Sequence, residues 1–574
     1  MKRLIKYMSA YKKEAFLGPI FKLLEALLEL FVPLVIAEII DKGIGAGEDG
    51  KSTVIRLMLL LVLLGLVGLG FSVTAQFFAA KASVGFVTRI RTSLFAHIQK
   101  LSYTQLDKSG TATLVTRMTS DMNQVQTGVN LALRLLLRSP FVVFGAMIMA
   151  FTIDAKISLI FLATILILSV VVFGVMLVTM PLHKKVQTSL DSLTHATKEN
   201  LGGARVIRAF CKEEDEVSSF RQKNDSYATG ERFAGRISAL TNPVTFIVVN
   251  VAVTVLIWNG SIRVNFGTLS QGDVVALYNY MSQILVELIK LANLIVTISK
   301  SLACASRIGD VLDVPTSSQG GEEYLGDGSV TFDNVSLTYE GAGDMSLKNI
   351  SFSVNHGDTV GVIGGTGDGK TTLVNLIPAF YSATSGSVSV GGKRVEEYDE
   401  ASLRSQIGVV PQKAMLFSGT IRENMRWGNE NATDEEIMEA LEIAQAKDFV
   451  TEKEGVLDYF IEQGGKNLSG GQRQRLTIAR AIVSKPRILI LDDSSSALDY
   501  LTDLNLRRAI AGIDYSPTVF IVSQRASSVM NADSIIVLDD GEMVGYGKHS
   551  DLLNTCPVYR EIYETQFTGE EARQ

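Results

Sequence analysis

Gly364-Gly365-Thr366-Gly367-Asp368-Gly369-Lys370-Thr371 reads G-x-x-x-x-G-K-T. That spacing is a phosphate-binding loop. Glycines let the backbone turn its N–H groups onto phosphate oxygens, and a lysine and a hydroxyl follow at the start of a helix. The context agrees. Residues 359–363 are an apolar run that predicts a buried strand, and residues 371–377 open a helical pattern. Lys370 is expected to reach the terminal phosphates and the Thr371 hydroxyl to ligate Mg2+, with Thr372 beside it. Two further signals follow: Leu468-Ser469-Gly470-Gly471-Gln472, and a second apolar strand ending in acid, Ile488-Leu489-Ile490-Leu491-Asp492-Asp493.

The chain has 574 residues, more than one domain needs. Its mean hydropathy of +0.24 is high for a soluble protein, and the long apolar runs are confined to the first half. A membrane domain over residues 1–312, a linker over 313–327 and a nucleotide-binding domain over 328–574 are expected. Within the linker, residues 317–321 carry the turn signals. A net charge of −6 argues against nucleic acid as a main partner. Cys211, Cys304 and Cys556 are far apart, without zinc spacing or a disulfide framework, as suits a reducing compartment. The start, Met1-Lys2-Arg3-Leu4-Ile5-Lys6-Tyr7, is a short basic amphipathic stretch with no cleavage site soon after, and residues 570–574 read as a solvated tail.

A span needs about 20 mostly apolar residues. Six segments qualify: residues 16–40, 54–78, 131–153, 157–182, 237–258 and 274–298. The first and last are interrupted by Lys22, Glu25, Glu29, Glu287 and Lys290. Both are kept because an even number returns the chain to its starting side. The connections carrying Lys81, Arg89, Arg91, Lys184, Lys185 and Arg205 are long and basic, which places them, the N-terminus and the nucleotide domain on the cytoplasmic side of the cell membrane. Charges inside spans are candidates for function. Glu25 shares a helix face with Lys22 and with Glu29, and Glu287 is spaced to pair with Lys290. Asn250, Gln76, Asn293 and the Asn242-Pro243 break are softer cases of the same kind.

Taken in order, these motifs behind six spans resemble a half-transporter of the ATP-binding cassette exporter family over nearly the whole chain. The resemblance implies an α-helical membrane domain with six long helices, fused to an α/β P-loop nucleotide-binding domain that takes ATP and Mg2+. It implies that Tyr339 stacks on adenine, that Gln412 senses Mg2+ and the γ-phosphate, and that Asp492 completes the metal site with Thr371. Ser469, Gly470, Gly471 and Gln472 match the signature motif that closes over ATP held by the opposite subunit. Ser496-Ala497-Leu498-Asp499 matches the D-loop. Residues 110–121 resemble the first coupling helix, and residues 203–210 the second.

Two positions depart from the family pattern. The catalytic glutamate after Asp492 is replaced by Asp493, whose carboxylate is one methylene shorter. Misplacement by about 1 Å costs on the order of 10²-fold in rate. The switch histidine is replaced by Gln524, which donates a hydrogen bond but carries no proton. The reading is an ATP-driven exporter half that moves amphipathic molecules, drugs or lipids by alternating access. It would contribute a degenerate, weakly hydrolytic site and an intact signature to a second, different subunit. The alternatives are a homodimeric exporter using Asp493 as base, an importer on an exporter-like fold, and an ATP-gated regulatory protein.

Overall fold

The computed structural model describes residues 2–45, 50–316 and 320–571. Residues 317–319 of the expected linker and 572–574 of the expected tail lie outside them. The chain divides into two compact units. One comprises Met1–Gln99 and Ala112–Val314, the other Lys100–Thr111 and Pro315–Gln574.

The first unit is all helical. Its main helices are α1 (Lys12–Glu38), α2 (Lys51–Ile98), α4 (Met122–Leu135), α5 (Arg138–Ile153), α6 (Ala155–Gly202), α7 (Glu213–Ala239), α8 (Thr241–Asn265) and α9 (Gln271–Leu312). Among the described residues, five helical stretches are long and apolar enough to cross a membrane: Lys51–Ile98, Thr111–Ile153, Ala155–Gly202, Glu213–Asn265 and Gln271–Leu312. The expected first span, in α1, is not among them. Lys22, Glu25 and Glu29 sit at its centre, so every membrane-length window contains all three. The first half of α2 turns Met58, Leu59, Leu63 and Leu66 outward, as a lipid-facing helix does. Its second half packs on α1 through Ala75, Ala79 and Ala82, all fully buried. A Cβ on Gly18 of α1 would lie 3.5 Å from the Ala79 nitrogen, so small residues set this close approach.

Charge is buried between α1, α5 and α9. Arg138 donates to Glu29 and to Glu287, both at 2.6 Å. Ser139 Oγ donates to Glu287 at 2.8 Å, and Lys290 pairs with Glu287 at 2.8 Å, as its spacing predicts. Lys22 pairs with Glu25 and also reaches Ser72 on α2. Arg138, the hub, is invisible to local sequence reasoning because its partners lie 109 and 149 residues away.

The second unit carries a ten-stranded sheet. Its strands are β1 (Val330–Leu337), β2 (Leu347–Val354), β3 (Thr359–Gly364), β4 (Ser385–Val390), β5 (Lys393–Arg394), β6 (Ile407–Val410), β9 (Ile488–Asp492), β10 (Thr518–Val522), β11 (Ser534–Asp539) and β12 (Glu542–Gly547). The order is β5-β4-β1-β2-β12-β11-β3-β10-β9-β6. A separate pair, β7 (Gly419–Thr420) and β8 (Phe460–Ile461), lies outside it. The central strands β3, β10, β9 and β6 run parallel and are apolar on both faces. Alternation divides them between two cores: Ile488, Ile490, Phe520 and Val522 face one, while Leu489, Leu491, Val519 and Ile521 face the other. A short helix from the early chain, α3 (Tyr103–Ser109), belongs to this unit. The helix packed there thus lies just upstream of residues 110–121, the stretch that resembles the first coupling helix. From Ala112 onward that stretch belongs to the helical unit, where buried Asp121 is held by Arg117 and Arg307.

Candidate functional site

The sheet order places β3, β10 and β9 side by side, with Val522 opposite both Val362 and Asp492. Their carboxyl ends therefore meet at one edge, where ligands of open parallel sheets bind. β3 runs into the glycine loop, and α10 (Lys370–Asn375) leaves it. Gly367 and Gly369 take φ of +101° and +88°, and a Cβ on Gly369 would come within 2.5 Å of the Ser346 carbonyl. Only glycine fits there without strain.

A cavity of about 320 Å³ opens at this edge. Of the residues singled out from sequence, its walls include Tyr339, Thr366, Gly367, Gly369, Lys370, Thr371, Thr372, Gln412, Asp492, Asp493 and Gln524. Ser346, Val522 and Ser523 also line it and carried no motif signal. Gly364 and Gly365 frame the loop from behind: their carbonyls accept from the Lys370 ammonium, at 2.9 Å for Gly364. The Asp368 carboxylate turns back onto the Gly365 N–H, so its side chain braces the loop.

Lys370 and Asp492 are both buried here without a direct salt bridge to each other. Burial pushes the Lys370 ammonium pKa down, against the pull of Asp368, Asp493 and Asp492. Burial also pushes the Asp492 carboxyl up, reinforced by Asp493 and opposed by Thr371 and Lys370. Thr371 Oγ1 donates to the Asp492 carboxylate at 3.0 Å from each oxygen. Hydroxyl and carboxylate together are hard oxygen donors of the kind Mg2+ takes.

Asp493 leaves the strand with φ +46°, in the left-handed region that aspartate tolerates better than most residues, and its N–H donates to the Val522 carbonyl at 3.0 Å. Gln412 Nε2 donates to Asp493 Oδ2 at 3.4 Å, and Thr366 Oγ1 donates to Gln524 Oε1 at 3.4 Å. Both positions that depart from the family pattern therefore point into the cavity.

The remaining motif residues do not line it. Ser469 caps α11 (Gly470–Val483) in a reciprocal capping box with Gln472. Ser469 and Gly470 are exposed, and a Cβ on Gly471 would lie 3.1 Å from the Ala497 carbonyl, so the signature and D-loop stretches abut. Asp499 caps α12 (Tyr500–Ala511), and its hydrogen bonds from Thr502 lower its pKa.

Residues 15–288 match the family described as ABC transporter transmembrane region, and residues 347–496 the family described as ABC transporter. The uncharacterized ABC transporter ATP-binding protein YfiB of Bacillus subtilis is 36% identical over 99% of each chain. The ATP-dependent lipid A-core flippase of Hahella chejuensis is 31% identical over 90% of this chain and 88% of its own. A solved structure of a bacterial Atm1-family ABC exporter with ATP bound superposes with a TM-score of 0.82 over 97% of this chain and 99% of that one. At 22% identity it is a likeness of fold.

Proposed function

The chain belongs to the ABC transporter family and hydrolyses ATP to drive transport; on that premise we propose that it is one half of a heterodimeric exporter. Its own ATP site would be the weakly hydrolytic one. The observation that carries this is the mismatch between a well-formed, capped signature at Ser469–Gln472 and a catalytic position with the shorter Asp493 and the protonless Gln524. The first serves a partner's ATP, and the second handicaps its own. Lys370 and the loop amides would hold the phosphates, Tyr339 the base, and Thr371 with Asp492 the Mg2+, with Gln412 beside it. When bound, the metal would offset phosphate charge, and its own positive charge would favour the ionised form of the buried Asp492.

The membrane unit would then have six spans, with α1 as the sixth. Pairing of Lys22 with Glu25 and of Glu29 with Arg138 removes the cost that its composition suggests. The N-terminus and the nucleotide unit would face the cytoplasm. Second-subunit docking is supported by the short helix Ala204–Ala209 and the residue that ends it, with Val206 and Phe210 60% and 72% exposed. An amphipathic cargo is supported by a cavity of about 730 Å³ between α6, α7, α8 and α9. It grades from Val172, Met176 and Met180 to His183, Lys184 and Lys300.

A second reading has one observation in its favour. The Asp493 carboxylate already lies in the cavity beside Gln412, so it would serve as the base of a homodimer. ATPase assay of the purified chain, alone and co-expressed with a half-transporter that carries its own catalytic glutamate and switch histidine, separates the two. Slow turnover alone and fast turnover together is expected. Fast turnover alone, abolished by Asp493→Asn, would establish the homodimer.

A further inference from the structure

Phe380 and Tyr381 lie just beyond α10 and touch α3 within the nucleotide unit. Tyr103 stacks on Phe380 with ring centres 4.4 Å apart. The Tyr381 hydroxyl donates to Asp107 Oδ2 at 2.6 Å, and Lys108 pairs with Glu340. Helix α3 is thus gripped from two places, the 380–381 pair and Glu340.

Both places converge on Tyr339. Glu340 is its chain neighbour. The Tyr381 ring meets it at 5.1 Å and 89°, a T-shaped contact that leaves at least one face of Tyr339 clear of Tyr381. The Tyr339 hydroxyl donates to Thr372 Oγ1 at 3.1 Å, in the first turn of α10. Tyr339 also lines the cavity. One ring therefore has a tie to the phosphate-loop helix, an aromatic contact leading to α3, and a face available for a base. A base stacking on that face would bear on the Tyr381 ring through Tyr339. Tyr381 in turn has its hydroxyl committed to a carboxylate on α3.

We propose that Tyr381 is a positioning residue that relays occupancy of the base subsite from Tyr339 to helix α3 through its hydrogen bond to Asp107. The proposal rests on the reading of Tyr339 as the base subsite. It adds a side-chain route by which the presence of the purine tightens α3.

Hydrogen exchange on the full-length protein in lipid nanodiscs tests it, with and without the magnesium complex of a non-hydrolysable ATP analogue. In the wild type, the analogue is expected to slow exchange in the phosphate loop (365–372) and also in residues 103–109. The α3 effect should be up to about tenfold, since the hydrogen bond to Asp107 is already formed and is only tightened. In Tyr381→Phe and in Asp107→Ala, phosphate-loop protection should persist while the nucleotide-dependent change in α3 disappears. A merely structural role would alter α3 exchange equally with and without nucleotide. Full nucleotide-dependent protection of α3 in both variants overturns the relay. Absence of phosphate-loop protection in the wild type removes the reading of this cavity as the nucleotide site, and the relay with it.

Discussion

The helical unit and the nucleotide unit each bury charge, by opposite means. In the helical unit, Arg138 and Glu287 are 7% and 3% exposed, and their charges are answered by side chains of the same chain. Glu29, Ser139 and Lys290 complete the set. In the nucleotide unit, Lys370 rests on two backbone carbonyls and Asp492 on one hydroxyl. Both are pushed toward their neutral forms. The first arrangement is closed and holds helices together. The second is open: among the described residues neither Lys370 nor Asp492 has a direct side-chain counter-charge. Buried charge by itself therefore says little about ligand binding, and the unanswered remainder says a great deal.

The largest effect should come from opening the closed network. Arg138→Met leaves Glu287 buried without its main counter-charge and is expected to destabilise the helical unit by about 3–5 kcal/mol. Thermal unfolding in detergent reads this, and adding Glu287→Gln should recover most of the loss. If Arg138→Met unfolds like the wild type, the network is not the structural clamp described.

The next effect breaks the backbone that keeps the second site open. Gly369→Ala puts a Cβ at φ +88° against the Ser346 carbonyl. Nucleotide affinity should fall by about 10²-fold, from roughly 1–2 kcal/mol of backbone strain plus displaced loop amides. Fluorescent nucleotide binding measures it, with the fold unchanged by circular dichroism.

A change that sharpens the comparison leaves binding alone. In Asp493→Glu with Gln524→His, carboxylate reach and a titratable ring are restored while the loop is untouched. Turnover of the chain alone should rise by up to about 10²-fold with unchanged nucleotide affinity. No rise would locate the weakness elsewhere than these two side chains.

The smallest effect has the opposite sign from the first. The Asp492 carboxyl has its pKa raised in the folded state, so its contribution to stability is fully present below the unfolded value of 3.8. That contribution is lost as pH rises through the folded value. At pH 7 without nucleotide, Asp492→Asn should therefore raise Tm slightly, since asparagine still accepts from Thr371. The gain should close as pH falls into the ordinary carboxylate range. Mg2+-dependent nucleotide binding should weaken in the same variant. Removing a charge thus stabilises the open site and destabilises the closed one.

Legibility in the sequence divides along the range of the interactions. The phosphate loop is local: a strand, two glycines at positive φ and a lysine, within a dozen residues, dictate their own geometry. The apolar spans are local too, since hydrocarbon selects composition over about 20 residues. The capping of α11 by Ser469 and Gln472 needs only three-residue spacing. Sequence alone thus determines the glycine loop with its lysine, the helical class of the first half and the residues at 493 and 524. It also shows that Glu29 and Glu287 need partners, and names only Lys290 for Glu287. Only the packing of α1, α5 and α9 brings Arg138 to both carboxylates. Only the tertiary fold sets α3 on the nucleotide unit and joins Tyr381 to Asp107 across 274 residues of chain. Backbone dihedrals and burial demands are written in neighbouring residues. The partner that meets a demand is chosen by whichever distant element packs alongside, and that choice is made by the whole chain.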